Sequence, residues 1–304
     1  MDSADHEVNM RDHRSVISPL TIQSASWLHS RGAPMPKRPR QARRARESRD
    51  FREDFMADSR AGAIDVVLKT LGGMRMVDLA PKLERGIPRW PTHPHLTIDK
   101  AVTHDHDGYY CQAIMMAEHT GAHVDAPAHM LPDRMDRTID TFPADHLFAS
   151  AVLYDFSGRD LRPGDLITAD MLRDYEKESG HAAGEGEIAI VNYGWMKRYW
   201  RTDSKAQWYV LNAPGMSEDA CEFLRERKVR AVATDTVAGE TAIVDGVPQA
   251  NPGHMKSWLP HDILIVEMLT NLEELTPRSL FLAMPLNIDE GSGSPIRPVA
   301  FCPA

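Results

Sequence analysis

Three apolar runs separated by two amphipathic ones occupy the middle of the chain, and their order leaves few folds open. "ASAVLYDF", residues 149–156, is short and apolar and stops at Ser157-Gly158, as a buried strand does. "TADMLRDYEKES", residues 168–179, opens with a Thr/Asp capping signature and spaces its apolar residues as a helix does. "EIAIVNYGW" (187–195) reads as a second buried strand, "SEDACEFLRERK" (217–228) as a second capped helix, and "VRAVATDT" (229–236) as a third strand. Strands alternating with helices favour an α/β domain with parallel pairing. Further strands lie outside this block: "RMVDLA" and "LTIDKAVTH" before it, "DILIVEML" and "RSLFLAMPL" after it. The expected fold is therefore a single α/β domain over residues 61–304, with a mixed, partly parallel β-sheet flanked by helices. "IDVVLKTL", which stops at Gly72-Gly73, reads as a helix ahead of the first strand.

Residues 1–60 have a different composition. They carry 12 Lys/Arg and 9 Asp/Glu, so the remainder holds −12 of a total of −9. The run "KRPRQARRARESRDFRED" has little apolar periodicity and too little apolar surface to offset its ordering entropy. A disordered basic and mixed-charge extension is expected there, with Met56 as an alternative start of the chain. The acidic body argues against nucleic acid as the main partner. No stretch reaches the roughly 18 apolar residues of a membrane helix, and no secretory apolar segment opens the chain, so a cytoplasmic location is expected. Cys111, Cys221 and Cys302 lie far apart with no CxxC pair, which fits a reducing compartment and no thiolate zinc site.

The chemistry concentrates in "HTGAHVDAPAHM", residues 119–130. Imidazole nitrogen and carboxylate oxygen are the ligands of zinc, manganese or iron(II). His119, His123 and Asp125 offer two nitrogens and one oxygen, the three protein ligands of a catalytic site that keeps an open position. His129 is a fourth polar group, free to move protons. Positions 119, 123 and 125 share one parity and so one face of a strand. A straight strand would hold the two histidines about 13 Å apart, at roughly 3.3 Å per residue. Gly121 permits the bend that would bring them together, and Pro127 disfavours a helix. A bent strand or loop running into a turn is expected; a solvated polar loop is the bland alternative.

Other motifs are weaker or missing. Neither GxGxxG nor GxxxxGK[ST] occurs, so nucleotide binding has no support. No GxSxG elbow marks a serine nucleophile, and nothing marks Cys111 as activated. Trp90, fenced in "PRWP", is held in an extended segment and is a candidate pocket wall. Glu267 ends an apolar strand, where an unpaired carboxylate is costly and a cation partner is favoured. "YGWMKRYW" (193–200) reads as core, with a pocket or subunit-contact loop as the alternative. His104 and His106 read as a solvated turn.

The full string H-x-G-x-H-x-D-x-P-x-H closely resembles the HxGTHxDxPxH signature of the metal-dependent cyclase family, which includes bacterial kynurenine formamidase and isatin hydrolase. The likeness extends over about residues 74–302. It takes in "VDLAPKLERGIPRWPTHP", "AGETAIVDG", "HMKSWLPHDILIVEMLTNLEEL" and "FLAMPLNIDEGSGSPIRPVAF". It implies a cyclase-like, swivelling β/β/α fold and one or two Zn or Mn ions per subunit. His119, His123 and Asp125 would hold the first ion. Asp125 would bridge to a second, completed by Glu267 and a late histidine, His254 in preference to His261. His129 would be the general acid/base and Trp90 would line the substrate pocket. Ala122 stands where the family usually has Thr, which removes a hydroxyl but no ligand. The implied activity is hydrolysis of a C–N amide bond in a small molecule, an aryl formamide or cyclic amide, by a homo-oligomer (dimer or tetramer). A lactone hydrolase, or a binding protein that kept the metal without turnover, are the alternatives.

Overall fold

The computed structural model describes residues 62–304; the expectations for residues 1–60, Met56 included, lie outside them. Nine strands form the main sheet: β1 (Met74–Asp78), β2 (His123–Asp125), β3 (Leu147–Asp155), β4 (Ile188–Asn192), β5 (Ala231–Thr234), β6 (Leu264–Glu267), β7 (Arg278–Ala283), β8 (Gly293–Pro295) and β9 (Val299–Pro303). Their order is β1-β9-β7-β3-β4-β5-β6-β2-β8. The four central strands β3, β4, β5 and β6 are parallel, and every pairing outside them is antiparallel. The mixed, partly parallel α/β sheet is thus the one expected.

The apolar runs form strands because both faces of the sheet are covered. Every residue of β4 is buried, as parallel strands between two layers require. Alternate residues feed two cores. Ala189, Val191, Val232 and Ile265 face one cluster, with Leu172 and Leu224 from the helices. Ile188, Ile190, Ala233 and Val266 face the other. Helix α1 (Ala169–Ser179) crosses from β3 to β4, and α2 (Glu218–Glu226) precedes β5. Thr168 caps α1 by accepting the Met171 N–H at 3.4 Å. Ser217 does not cap α2: its hydroxyl donates to Asp219 Oδ1 in the helix's first turn, and Asp219 in turn accepts the Ala169 N–H at 3.0 Å. The two helix starts are therefore tied to each other.

"LTIDKAVTH" and "YYCQAIMM" leave the main sheet and form a separate antiparallel hairpin, Thr97–Val102 with Cys111–Met115. His104 and His106 sit exposed on the short helix His104–Asp107 at its tip, in accord with a solvated turn. In the aromatic cluster, Tyr193 and Trp195 are fully buried in the core. No described helix is long and apolar enough to cross a membrane.

Candidate metal centre

Strand β2 is three residues long and lies between β6 and β8, and its register assembles the site. Glu267 of β6 is directly opposite His123, and Gly293 of β8 is directly opposite Asp125. Period-two alternation puts His123 and Asp125 on one face while Val124 is buried on the other. The chain reaches β2 through Gly121 at φ +67°, where an added Cβ would lie 2.6 Å from Leu83 Cδ2. That left-handed residue makes the bend, and the His119 and His123 rings end 5.2 Å apart. After β2, Pro127 starts a tight turn closed by the His129 N–H on Ala126 O at 2.9 Å. The turn lays the His129 ring 3.9 Å from that of His119.

His254 arrives from the helical turn Gly253–Ser257, with Nε2 3.3 Å from Asp125 Oδ2 and 3.6 Å from Glu267 Oε1. His261 is exposed and outside the cluster. The histidines divide between two candidate ligand groups that share Asp125: His119 with His129, and His123 with Glu267. The sequence had grouped His119 with His123.

Each of three histidines has one ring nitrogen committed away from Asp125 and Glu267. His123 Nδ1 donates to Gly121 O at 2.8 Å. His254 Nδ1 donates to Glu240 Oε1 at 2.7 Å. Ser292 gives its only hydroxyl proton to Glu118 Oε2 at 2.5 Å, so it accepts from His119 Nε2 at 2.9 Å. The remaining nitrogens all face carboxylate oxygens. His119 Nδ1 is 2.5 Å from Asp125 Oδ1, and His123 Nε2 is 3.4 Å from Asp125 Oδ1 and 3.3 Å from Glu267 Oε2. A lone pair facing a carboxylate at such range requires a cation between them, either a proton or a metal ion.

The electrostatics follow from that crowding. Burial pushes the Asp125 carboxyl up, but the His119, His129 and His123 imidazoles outweigh it and hold it well below the usual range. Burial, and then the Asp125 charge, push Glu267 up to about 7. Burial disfavours charge on His123, yet Asp125 and Glu267 raise it to about 9. His254 likewise overcomes burial through Glu240 and Asp125 and lies well above the ordinary histidine value. His129 goes the other way: burial, reinforced by the His119 and His254 charges, pushes it down to about 3. Without a metal, protons therefore occupy the cluster. Buried Glu267 Oε1 and Glu240 Oε2 still have no hydrogen-bond partner. Buried carboxylates left unsatisfied among inward-facing imidazoles are a donor set that fits a divalent ion.

The cluster forms the floor of a cavity of about 300 Å³. Trp90, Met130, Val237, Ala238 and Met268 supply apolar walls, and Thr92, His93 and Asn251 polar points. Trp90 is thus among the residues that line the cavity. Glu240, His93 and the Glu118–Ser292 pair were not singled out from the sequence. Glu240 alone carried a signal, as a lone carboxylate in the apolar segment "AGETAIV".

Packing beneath the site is tight. A Cβ on Gly293 would lie 2.5 Å from Val124 O and 2.6 Å from His119 Cε1. Gly293→Ala is expected to cost about 1–3 kcal/mol, read from urea unfolding, and to weaken metal binding by displacing the His119 ring. Wild-type stability and metal affinity in the variant would contradict this packing.

A mixed sheet with a histidine–carboxylate floor where β2 lies between β6 and β8 defines the class to which the protein belongs. The Cyclase family model matches residues 77–241, and the chain is a member of that family. It is 31% identical over 224 residues to isatin hydrolase of Roseibium aggregatum, covering 69% of this chain and 82% of that one. It is 22% identical over 232 residues to kynurenine formamidase of Bacillus cereus, covering 73% and 95%. The fold matches isatin hydrolase A of Ralstonia solanacearum with a TM-score of 0.69 at 27% identity, over 79% of this chain and 96% of that one.

Proposed function

We propose that the protein is a metal-dependent hydrolase that cleaves the C–N amide bond of an uncharged aryl formamide or cyclic amide. The observation that carries this reading is the set of inward-facing imidazole nitrogens on buried Asp125 and Glu267 at the floor of an apolar cavity. His119, His123, Asp125, His254 and Glu267 are the residues that would hold one or two ions, zinc or manganese. Such an ion, when bound, lowers the pKa of coordinated water to about 7 and polarises a carbonyl oxygen.

The remaining work falls to the chain's own groups. His129, which lines the cavity beside His119, can take a proton on its ring nitrogen and return it to the leaving nitrogen. Glu240 holds the His254 ring so that Nε2 faces inward, and the Ser292–Glu118 pair does the same for His119. Trp90 puts an aromatic side chain in the cavity wall, against which an aromatic ring can pack. Among the described residues no Lys or Arg lines the cavity, so a substrate carboxylate held away from the ion would have no side-chain cation to pair it. This favours an uncharged substrate over an amino-acid formamide.

The test is a hydrolysis panel of neutral N-aryl formamides, lactams and lactones with the metal-loaded protein. Turnover of a neutral amide, abolished by chelation and restored by Zn²⁺ or Mn²⁺, is expected. Turnover that survives chelation, or no turnover of any amide, would overturn the proposal.

A further inference from the structure

The wall that carries Trp90 and His93 into the cavity has almost no backbone support of its own. From Pro88 to Pro94 the chain belongs to no strand or helix, and its one internal backbone bond is the His93 N–H on Trp90 O at 3.0 Å. The three prolines, Pro88, Pro91 and Pro94, cannot donate. One side chain supplies what the backbone lacks. The two hydrogens of Arg89 Nη1 are shared among three carbonyls of the loop, Trp90 O at 3.2 Å, Pro91 O at 3.0 Å and His93 O at 2.7 Å. On its outer side Arg89 Nη2 lies 3.0 Å from His95 Nε2, and Nε lies 3.3 Å from His95 Nδ1.

We infer that Arg89 is a positioning residue that staples the Trp90–His93 wall, and that this wall sets a preference for planar aromatic substrates. The guanidinium suits the task because its donors form a planar, rigid fork, whereas an ammonium is a single point of charge. Three carbonyls gathered by one group fix the loop's path, and Trp90 follows from that path. The staple also commits both Nη1 hydrogens to the loop's own carbonyls, although Arg89 is next in sequence to a cavity-lining residue. The claim on substrates rests on the hydrolase reading; the claim on the loop does not.

Two measurements on Arg89→Ala keep these apart. Hydrogen exchange of wild-type and variant protein is expected to quicken in peptides covering residues 88–96 and to stay unchanged in those covering 119–130. Unchanged exchange at 88–96, or equal quickening in both segments, overturns the staple. In kinetics, kcat/KM for a neutral N-aryl formamide is expected to fall about tenfold or more through KM, with a much smaller loss for an N-alkyl formamide and unchanged metal content. Equal losses for both substrates overturn the role in preference. Arg89→Lys is expected to repeat both results in milder form, and it serves if the alanine variant does not fold. Quickened exchange at 88–96 alone, in a protein that hydrolyses no amide, supports the staple and overturns the hydrolase reading.

Discussion

His129→Ala is expected to retain the full metal content of the wild type and to lose on the order of 10²–10⁴ in kcat, the usual span for removing a positioned general acid or base. The expectation follows from what the ring touches. The His129 ring lies 3.9 Å from that of His119, tilted by 32°, lines the cavity and is kept neutral by burial, whereas His119, His123 and His254 each have an outer partner that turns the other nitrogen inward. Paired measurement of kcat and metal stoichiometry separates two roles. A drop in metal content parallel to the drop in rate would make His129 a ligand beside His119 and Asp125, an arrangement the geometry also accommodates. An unchanged rate would remove it from the chemistry.

Asp125→Asn has the second large effect. Asp125 alone reaches both candidate groups: Oδ1 faces His119 and His123, and Oδ2 faces His254. A carboxamide offers one neutral oxygen in place of two charged ones, so neither group keeps its donor set. Metal binding is expected to fall by more than the ~100-fold typical of losing a partner that only orients a ligand, with activity dropping to that of the chelated wild type. In the metal-free variant burial still raises Glu267, but the added push of the Asp125 charge is gone, so Glu267 is expected to titrate closer to an ordinary carboxylate.

Much of this was legible in the sequence, for particular reasons. The central strands and helices announce themselves because β4 is buried on both faces and α1 is amphipathic and capped. The bend at Gly121 could be argued from strand length alone, since two imidazoles four residues apart need it. His254 could be preferred to His261, and the cluster contains His254. The grouping of ligands was not legible. It depends on the register of β2 against β6 and β8, and strands of three or four residues carry no pattern from which a register can be read. The partners that orient the imidazoles were hidden for a related reason. Ser292 and His119 are 173 residues apart, and an exchanged hydroxyl proton leaves no periodic trace. Ser217 shows the opposite failure: a local capping signature gave way to a bond with Asp219, whose carboxylate reaches across to the start of α1.

The central claim is that a divalent ion belongs where the metal-free protein holds protons between its inward-facing imidazoles and carboxylates. Calorimetric titration of Zn²⁺ or Mn²⁺ into the metal-free protein, in buffers of differing ionisation enthalpy, tests it directly. Glu267 raised to about 7 and His123 raised to about 9 are protonated below those values and must lose their protons to bind. The predicted result is stoichiometric binding that releases protons and tightens as pH rises from 6 to 9, and that is lost in Asp125→Asn. Binding with no proton release, equal in the wild type and in Asp125→Asn, would contradict the account.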